Sequence, residues 1–394
     1  MKKILKFPKG FLWGSAVSSY QVEGGIENSD WSSEFPAGKA CDYYNQYEKY
    51  FDLARELNQN VHRLSLEWSR IQPSEDKFDR QAIEHYRKIL MALRARNIKT
   101  VVTIWHWTLP IWVSEMGGWH NKKTVEYFQQ YAEFVAEELD DLVDFWVTIN
   151  EPMVYITLAY FLGIFPPHKK NEILIMMIVF KNLINGHKKA YTALHDNNKN
   201  AKVGIADNCA YADAFDNNSI LDRTGAKIWR YLRVHLFYDF IRKYQDYIGI
   251  NYYFHDKIKF TPFKYPFLRR GNDNKLVTDV GWEIYPEGIY HVLIQLKKYY
   301  LPIYITENGL ADAKDERREK FIVDHLYWMH KAITEGADVR GYMHWSLVDN
   351  FEWTFAFKPR FGLLEMNYET ITPKIRPSAL IYAGICKTNE LKID

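Results

Sequence analysis

The stretch PIYITENG, residues 302–309, runs through Pro302, Ile303, Tyr304 and Ile305 before it presents a carboxylate, Glu307. An apolar, β-branched run bounded by Pro and Gly reads as a strand buried on both faces, the habit of parallel sheets covered by helices. Ionisable side chains avoid such places. At the C-terminal end of a parallel barrel strand, however, an acid stands where barrel enzymes gather their chemistry. A Glu at a strand end can also cap a helix or hold a salt bridge, so PIYITENG alone leaves both roles open.

Seven other runs share this character. In chain order the set is FLWGSA (11–16), VHRLSLEW (61–68), KTVVTIWHW (99–107), DFWVTIN (144–150), AKVGIADN (201–208), DYIGINYY (246–253), PIYITE (302–307) and VRGYMHWSL (339–347). Stretches of helical period separate them, among them DRQAIEHYRKILMALRARN (79–97) and NKKTVEYFQQYAEFVAEELDD (121–141). Alternating units in this number, with no Gly/Ser linker and no low-complexity tract, predict an α/β chain folded as one (β/α)8 TIM barrel over residues 1–394.

Composition narrows the partners. A net charge of +2 gives no electrostatic case for nucleic acid, and the one basic cluster, FLRRGNDNK at 267–275, reads as a solvated loop. Three cysteines, Cys41, Cys209 and Cys386, lack the spacing of a zinc site or a disulfide framework, which suits a reducing, cytoplasmic compartment. The N-terminus MKKILKFPKG breaks its apolar run too early for a secretory signal. The longest apolar stretch, ILIMMIVF at 173–180, falls well short of the roughly 18 residues of a spanning helix and reads as a buried helix segment, with a lipid-facing or partner-facing patch as the alternative. The aromatic content is high, 16% with 13 Trp and 28 Tyr, and flat rings with polar tips suit sugars or bases as well as a core.

If the barrel is right, the strand ends must carry the chemistry. They carry Gln21 past strand 1, Arg63 on strand 2, His106 and Trp107 on strand 3, Asn150 and Glu151 on strand 4, Asn251 and Tyr253 on strand 6, Glu307 on strand 7 and Trp345 on strand 8. TINEP and ITENG each set a Glu beside an Asn, and barrel closure brings Glu151 and Glu307 to face each other. Two facing carboxyls are what glycosidic cleavage needs, one to protonate the leaving oxygen and one to attack the anomeric carbon or activate water. Mutual repulsion raises the pKa of one partner, so the pair divides the roles by itself.

TINEP (148–152) and ITENG (305–309), with FLWGSAVSSYQVEGG (11–25) and WSLVDNFEW (345–353), resemble glycoside hydrolase family 1, the retaining β-glucosidases and β-galactosidases. The similarity covers nearly the whole chain. It implies that Glu151 is the general acid/base and Glu307 the nucleophile, that the Tyr253 hydroxyl rests on the nucleophile, and that Arg63 keeps Glu307 ionised. It further implies that Asn150, next to the acid, bonds the sugar 2-hydroxyl and that Asn251 belongs to the substrate-binding set. Gln21, His106, Glu352 and Trp353 match the positions that grip the non-reducing sugar, Trp345 would stack on its face, and Trp282 would meet the aglycone. No metal or other cofactor is called for, and the partner is a small β-glycoside or oligosaccharide, with no transmembrane segment and the oligomeric state left open.

Glu352 discriminates substrates. In the branch of that family that hydrolyses 6-phosphoglycosides a Ser stands at this position, and a Lys and a Tyr stand where this chain has Pro359 and Phe361. A carboxylate repels a sugar phosphate, so plain β-glucosides and β-galactosides are expected. The chain also departs from the family pattern. Ala356 replaces a usual Gly, Tyr43 replaces a usual His, and the connection before DYIGINYY and the segment between Trp31 and Cys41 are short, which predicts an open mouth. Two other readings compete, a 6-phospho-β-glycosidase and a non-catalytic sugar-binding protein on the same barrel.

Overall fold

The structure, a computed structural model, describes residues 3–261, 268–271 and 276–393. Eight parallel strands close a barrel: strand 1 Leu12–Ala16, strand 2 Val61–Ser65, strand 3 Lys99–Trp105, strand 4 Phe145–Asn150, strand 5 Val203–Asn208, strand 6 Ile248–Asn251, strand 7 Ile303–Asn308 and strand 8 Val339–Trp345. Strand 8 pairs back on strand 1, with Trp345 opposite Ala16. All eight lie at the runs read from sequence, except that strand 7 continues one residue further, through Asn308.

Side chains fill the barrel from below. Phe145, Tyr247 and Tyr304, at the N-terminal ends of strands 4, 6 and 7, pack with ring centroids 5.0–5.7 Å apart. They share one buried cluster with Val61, Val101, Val147 and Met343. The register then aligns polar groups at the other end, Glu307 and Asn208 each opposite Asn251, and Asn150 opposite Ala206. Gly309 lets the ends of strands 7 and 8 approach, since a Cβ there would lie 1.7 Å from the Trp345 carbonyl oxygen.

Helices cover the outside through apolar stripes. In Arg80–Ala95 the stripe is Ala82, Ile83, Tyr86, Ile89, Leu90 and Leu93, and the Asp79 carboxylate caps the first turn by accepting from the Gln81 and Ala82 amides. Lys123–Leu139 packs Phe128, Tyr131, Ala132 and Val135 in the same way. The helix Ile173–Asn197 differs from expectation. Its first two turns are only partly covered, with Ile175 and Met176 half-buried against the core but Ile173 57%, Leu174 77% and Met177 65% exposed, and full burial begins at Val179. Among the described residues no helix is long and apolar enough to cross a membrane.

The basic cluster is also not the expected loop. Leu268–Gly271 is a strand that pairs antiparallel with His255–Phe260, which lies beside Tyr211–Ala214; the remainder of 267–275 lies outside the described residues. Two further strand pairs flank the barrel, Lys3–Lys6 with Glu390–Ile393 and Leu364–Asn367 with Thr372–Ile375. Tyr43, in place of the usual His, is buried and its hydroxyl lies 2.9 Å from His62 Nε2.

Ala356 sits at φ 52°, ψ −133°, a region that favours glycine. The turn is held by hydrogen bonds from the Glu352 amide to the Ala356 carbonyl (2.7 Å) and from the Ala356 amide to the Trp353 carbonyl (3.1 Å). Ala356→Gly should therefore raise stability by about 1 kcal/mol, the strain relieved exceeding the added freedom of the unfolded chain, and the midpoint of urea unfolding measures it.

Candidate active site

The C-terminal mouth of the barrel encloses a cavity of about 340 Å³. Glu151 reaches it from the residue after strand 4, at φ 45°, as the residue before the helix Pro152–Ile156. Glu307 reaches it from strand 7. Both carboxyls are almost fully buried.

Each acid is held by a different set of partners. Glu307 Oε1 accepts from Arg63 at 2.5 Å and Oε2 accepts from the Tyr253 hydroxyl at 2.9 Å. Glu151 Oε1 accepts from two amides, Asn251 Nδ2 at 2.9 Å and Asn208 Nδ2 at 3.1 Å. No cation contacts it among the described residues. Burial, together with the nearby Glu307 charge, pushes the Glu151 carboxyl up to about 8. Burial pushes Glu307 up as well, while Arg63, Tyr253 and Asn251 pull it back. Asn251 bears on both acids, so the two groups share one small space.

The amides around them have fixed orientations. Thr306 donates to Asn251 Oδ1 at 2.7 Å, which turns Asn251 Nδ2 toward Glu151 and Asn150. Asn150 Oδ1 accepts from Arg63 (2.7 Å) and Asn251 (3.1 Å), so its Nδ2 faces His106 Nε2 at 3.1 Å. That contact leaves the His106 proton on Nδ1, which is buried with no partner among the described residues. Burial and the Arg63 charge hold His106 well below its usual pKa, hence neutral.

On the far side of the cavity Gln21 Nε2 donates to Glu352 Oε2 (3.1 Å), and Gln21 Oε1 accepts from Ser18. Burial and the Glu307 charge push the Glu352 carboxyl up to about 8. Trp353 is clamped among Trp31 and Trp107 at 4.6 and 4.8 Å, and Trp345 lies against His106 at 6.2 Å.

Nearly all the residues singled out from sequence meet here. Gln21, His106, Asn150, Glu151 and Tyr253 line the cavity, as do Trp282, Glu307, Trp345, Glu352 and Trp353. Arg63 and Asn251 do not line it but stand behind the wall, in contact with the acids. Tyr253 is not on strand 6, which ends at Asn251, so strand alternation does not orient it; the turn secured by the Tyr252 amide on the Glu307 carbonyl (2.9 Å) does. His106, Trp107 and Glu151 likewise follow their strands by one or two residues. Asn208 was missed, although it ends strand 5 in GIADN at the same level as the others. Trp107 also lines the cavity and donates from Nε1 to the Asn150 carbonyl at 3.0 Å.

The chain matches the model of Glycosyl hydrolase family 1 over residues 4–239 and 235–391. A β-galactosidase from Sulfolobus acidocaldarius is 32% identical over 476 aligned positions that cover 98% of this chain and 96% of the relative. Beta-glucosidase A of Acetivibrio thermocellus is 31% identical, covering 99% of this chain and all of that protein. Since this chain has 394 residues, the 476-position alignment contains insertions that it lacks. Among solved structures, a β-glycosidase from Pyrococcus horikoshii superposes with a TM-score of 0.93 at 37% identity, covering 99% of this chain and 97% of that one. A family 1 β-glucosidase from Thermotoga maritima gives 0.91 at 28% identity, with 99% of both chains covered.

The raised Glu151 carboxyl has a consequence for stability. It binds its proton more tightly in the fold than in the unfolded chain, so its contribution is complete at low pH and is lost as pH rises from 4.5 through about 8. Glu151→Gln removes that titration, and its melting temperature relative to wild type should climb between pH 5 and pH 9.

Proposed function

Because the chain belongs to glycosyl hydrolase family 1, we propose that it is a retaining exo-β-glycosidase that acts on non-phosphorylated β-glucosides and β-galactosides. The observation that carries this reading is the unequal treatment of two buried acids, Glu307 on a guanidinium and a phenol, Glu151 on neutral amides with its pKa near 8.

In this proposal the terminal sugar lies among Gln21, His106, Glu352, Trp345 and Trp353, and the free His106 Nδ1–H donates to one of its hydroxyls. The Glu307 carboxylate attacks the anomeric carbon as the Glu151 carboxylic acid gives its proton to the glycosidic oxygen. The C–O bond to the leaving group breaks, the aglycone departs as an alcohol, and a glycosyl ester forms on Glu307. Esterification removes the Glu307 charge and with it the repulsion that adds to burial in raising Glu151, so the pKa of the Glu151 carboxyl falls and it can take a proton from water. Water then attacks the same face that the leaving group left, and the β-anomer results. Asn150, held by Arg63 and Asn251, is placed for the sugar 2-hydroxyl.

The preference for plain sugars rests on charge. Among the described residues no Lys or Arg lines the cavity, Glu352 is a carboxyl, and Phe361 lines the wall where a phosphate would need a donor. The enzyme is proposed to work as one barrel domain, its two ends tied by Lys3–Lys6 and Glu390–Ile393, and in a reducing cytoplasmic setting that suits three buried free cysteines.

The test is hydrolysis of 4-nitrophenyl β-glucoside, β-galactoside and glucoside 6-phosphate, with the released anomer followed by NMR. Turnover of the plain glycosides with the β-anomer appearing first, lost by at least a thousandfold in Glu307→Gln, is expected; α-anomer first overturns retention, and preference for the phosphate overturns the substrate assignment. kcat/KM should also fall above about pH 8 as Glu151 loses its proton, with a limb that disappears in Glu151→Gln.

A further inference from the structure

Glu151 engages the fold through one of its two carboxyl oxygens. Oε1 accepts from Asn251 Nδ2 (2.9 Å) and from Asn208 Nδ2 (3.1 Å), whereas Oε2 has no hydrogen-bond partner among the described residues. Two N–H groups fill both lone-pair positions of Oε1, so a proton carried there would have to turn into one of them. The acidic proton therefore belongs on Oε2. That placement lasts only while both amides keep their nitrogen toward Glu151, because a side-chain amide rotated by half a turn presents an acceptor instead.

Each amide has its own restraint. Asn251 is held by the Thr306 hydroxyl on its Oδ1. Asn208 is held by Arg233, whose Nη2 donates to Asn208 Oδ1 at 2.5 Å. A guanidinium has donors and no acceptor, so Asn208 must offer it the oxygen and leave the nitrogen for Glu151. The Asn208 main chain is fixed as well, paired with Asn251 across strands 5 and 6 and bonded through its amide to Asp207 Oδ1 at 2.9 Å. Arg233 does not line the cavity; it is half-buried behind Asn208, on the turn Tyr231–His235. In that turn the Leu236 amide bonds the Tyr231 carbonyl five residues back, a π-helical turn of the kind that often occurs at functional sites.

We propose, resting on the glycosidase reading above, that Arg233 is a positioning residue for the acid step: through Asn208 it keeps the Glu151 proton on Oε2, the oxygen left free for the glycosidic bond. Without Arg233 the Asn208 amide can rotate, and its Oδ1 then accepts a proton held on Oε1, away from the leaving group. The loss falls on proton donation and so depends on the leaving group. Methoxide and phenoxide need a proton in order to depart, whereas 2,4-dinitrophenolate leaves as the anion. General acid assistance typically contributes about 10²–10⁴-fold, and misplacing the proton for part of the time should remove about thirtyfold of it.

The experiment measures kcat/KM for methyl, phenyl and 2,4-dinitrophenyl β-glucoside with wild type, Arg233→Met, Arg233→Lys, Asn208→Ala and the double variant Arg233→Met, Asn208→Ala, each checked for folding by circular dichroism. Arg233→Met is expected to lower the methyl and phenyl values about thirtyfold and the 2,4-dinitrophenyl value by no more than about threefold. Arg233→Lys, which can still donate to Asn208 Oδ1, should recover most of the loss, and Arg233→Met should add almost nothing to Asn208→Ala. If Arg233→Met does not fold, Arg233→Gln carries the same comparison. An equal loss on all three substrates, or no loss, overturns the proposal and leaves Arg233 as a tie between its helix and the barrel, with the glycosidase reading intact. A leaving-group-dependent loss that persists on the Asn208→Ala background overturns the route through Asn208 and assigns the effect to the Arg233 charge acting on buried Asp207. Absence of wild-type turnover on every glycoside, 4-nitrophenyl β-glucoside included, overturns the glycosidase reading and this proposal with it.

Discussion

Three carboxyls, those of Glu151, Glu307 and Glu352, meet at the mouth of this barrel, and one guanidinium, that of Arg63, touches one of them. A buried carboxylate without a partner is expensive by several kcal/mol, and one cation compensates one anion. The charge therefore settles on Glu307, and the other two acids hold their protons to about pH 8. Arg63 does more than neutralise. Its second nitrogen fixes the Asn150 carbonyl oxygen, Asn150 then fixes the His106 tautomer, and Thr103 anchors the guanidinium through Nε at 3.0 Å. Breaking a buried pair of this kind typically costs about 3–5 kcal/mol, and here the orientation of Asn150, and through it the His106 tautomer, would go with it.

That arrangement needs a closed barrel, because its members come from distant strands. Arg63 is on strand 2, Asn150 on strand 4, Asn251 on strand 6 and Glu307 on strand 7, and an open sheet would set them side by side rather than around one space. Closure is secured where strand 7 passes strand 8. Gly309 lies there against the Trp345 carbonyl, so the same turn that ends the acid-bearing strand also seats the tryptophan on the cavity wall.

The barrel was legible because eight β-branched runs carry its strands, and a parallel strand buried on both faces has a pattern that helices do not share. The acids were legible because Glu beside Asn at the ends of such runs, in TINEP and ITENG, contradicts burial unless it serves chemistry. Asn208 escaped attention though it satisfies the same positional rule, since an Asn at a strand end has many ordinary uses and only contact with Glu151 distinguishes it. The strand pair of Lys3–Lys6 and Glu390–Ile393 was not readable, because each strand is four residues long and its partner lies at the other end of the chain. ILIMMIVF misled for another reason. Hydrophobicity reports a tendency to be covered but not which side is covered, and in this chain the first turns of that helix turn Ile175 and Met176 toward the core while Ile173, Leu174 and Met177 stay exposed.

Several residues of the mouth are held in unfavourable backbone conformations. Glu151, Trp107, Trp353 and Ala356 all adopt positive φ at the mouth, at 45°, 78°, 51° and 52°, conformations that side chains with a Cβ resist. Each is held by neighbours that outweigh its preference: the Glu151 amide by the Ala206 carbonyl, Trp107 by its indole bond to Asn150, and Trp353 by the aromatic stack of Trp31 and Trp107. The rigid lower barrel, with its plug of Phe145, Tyr247 and Tyr304, supplies the stability that such a mouth consumes.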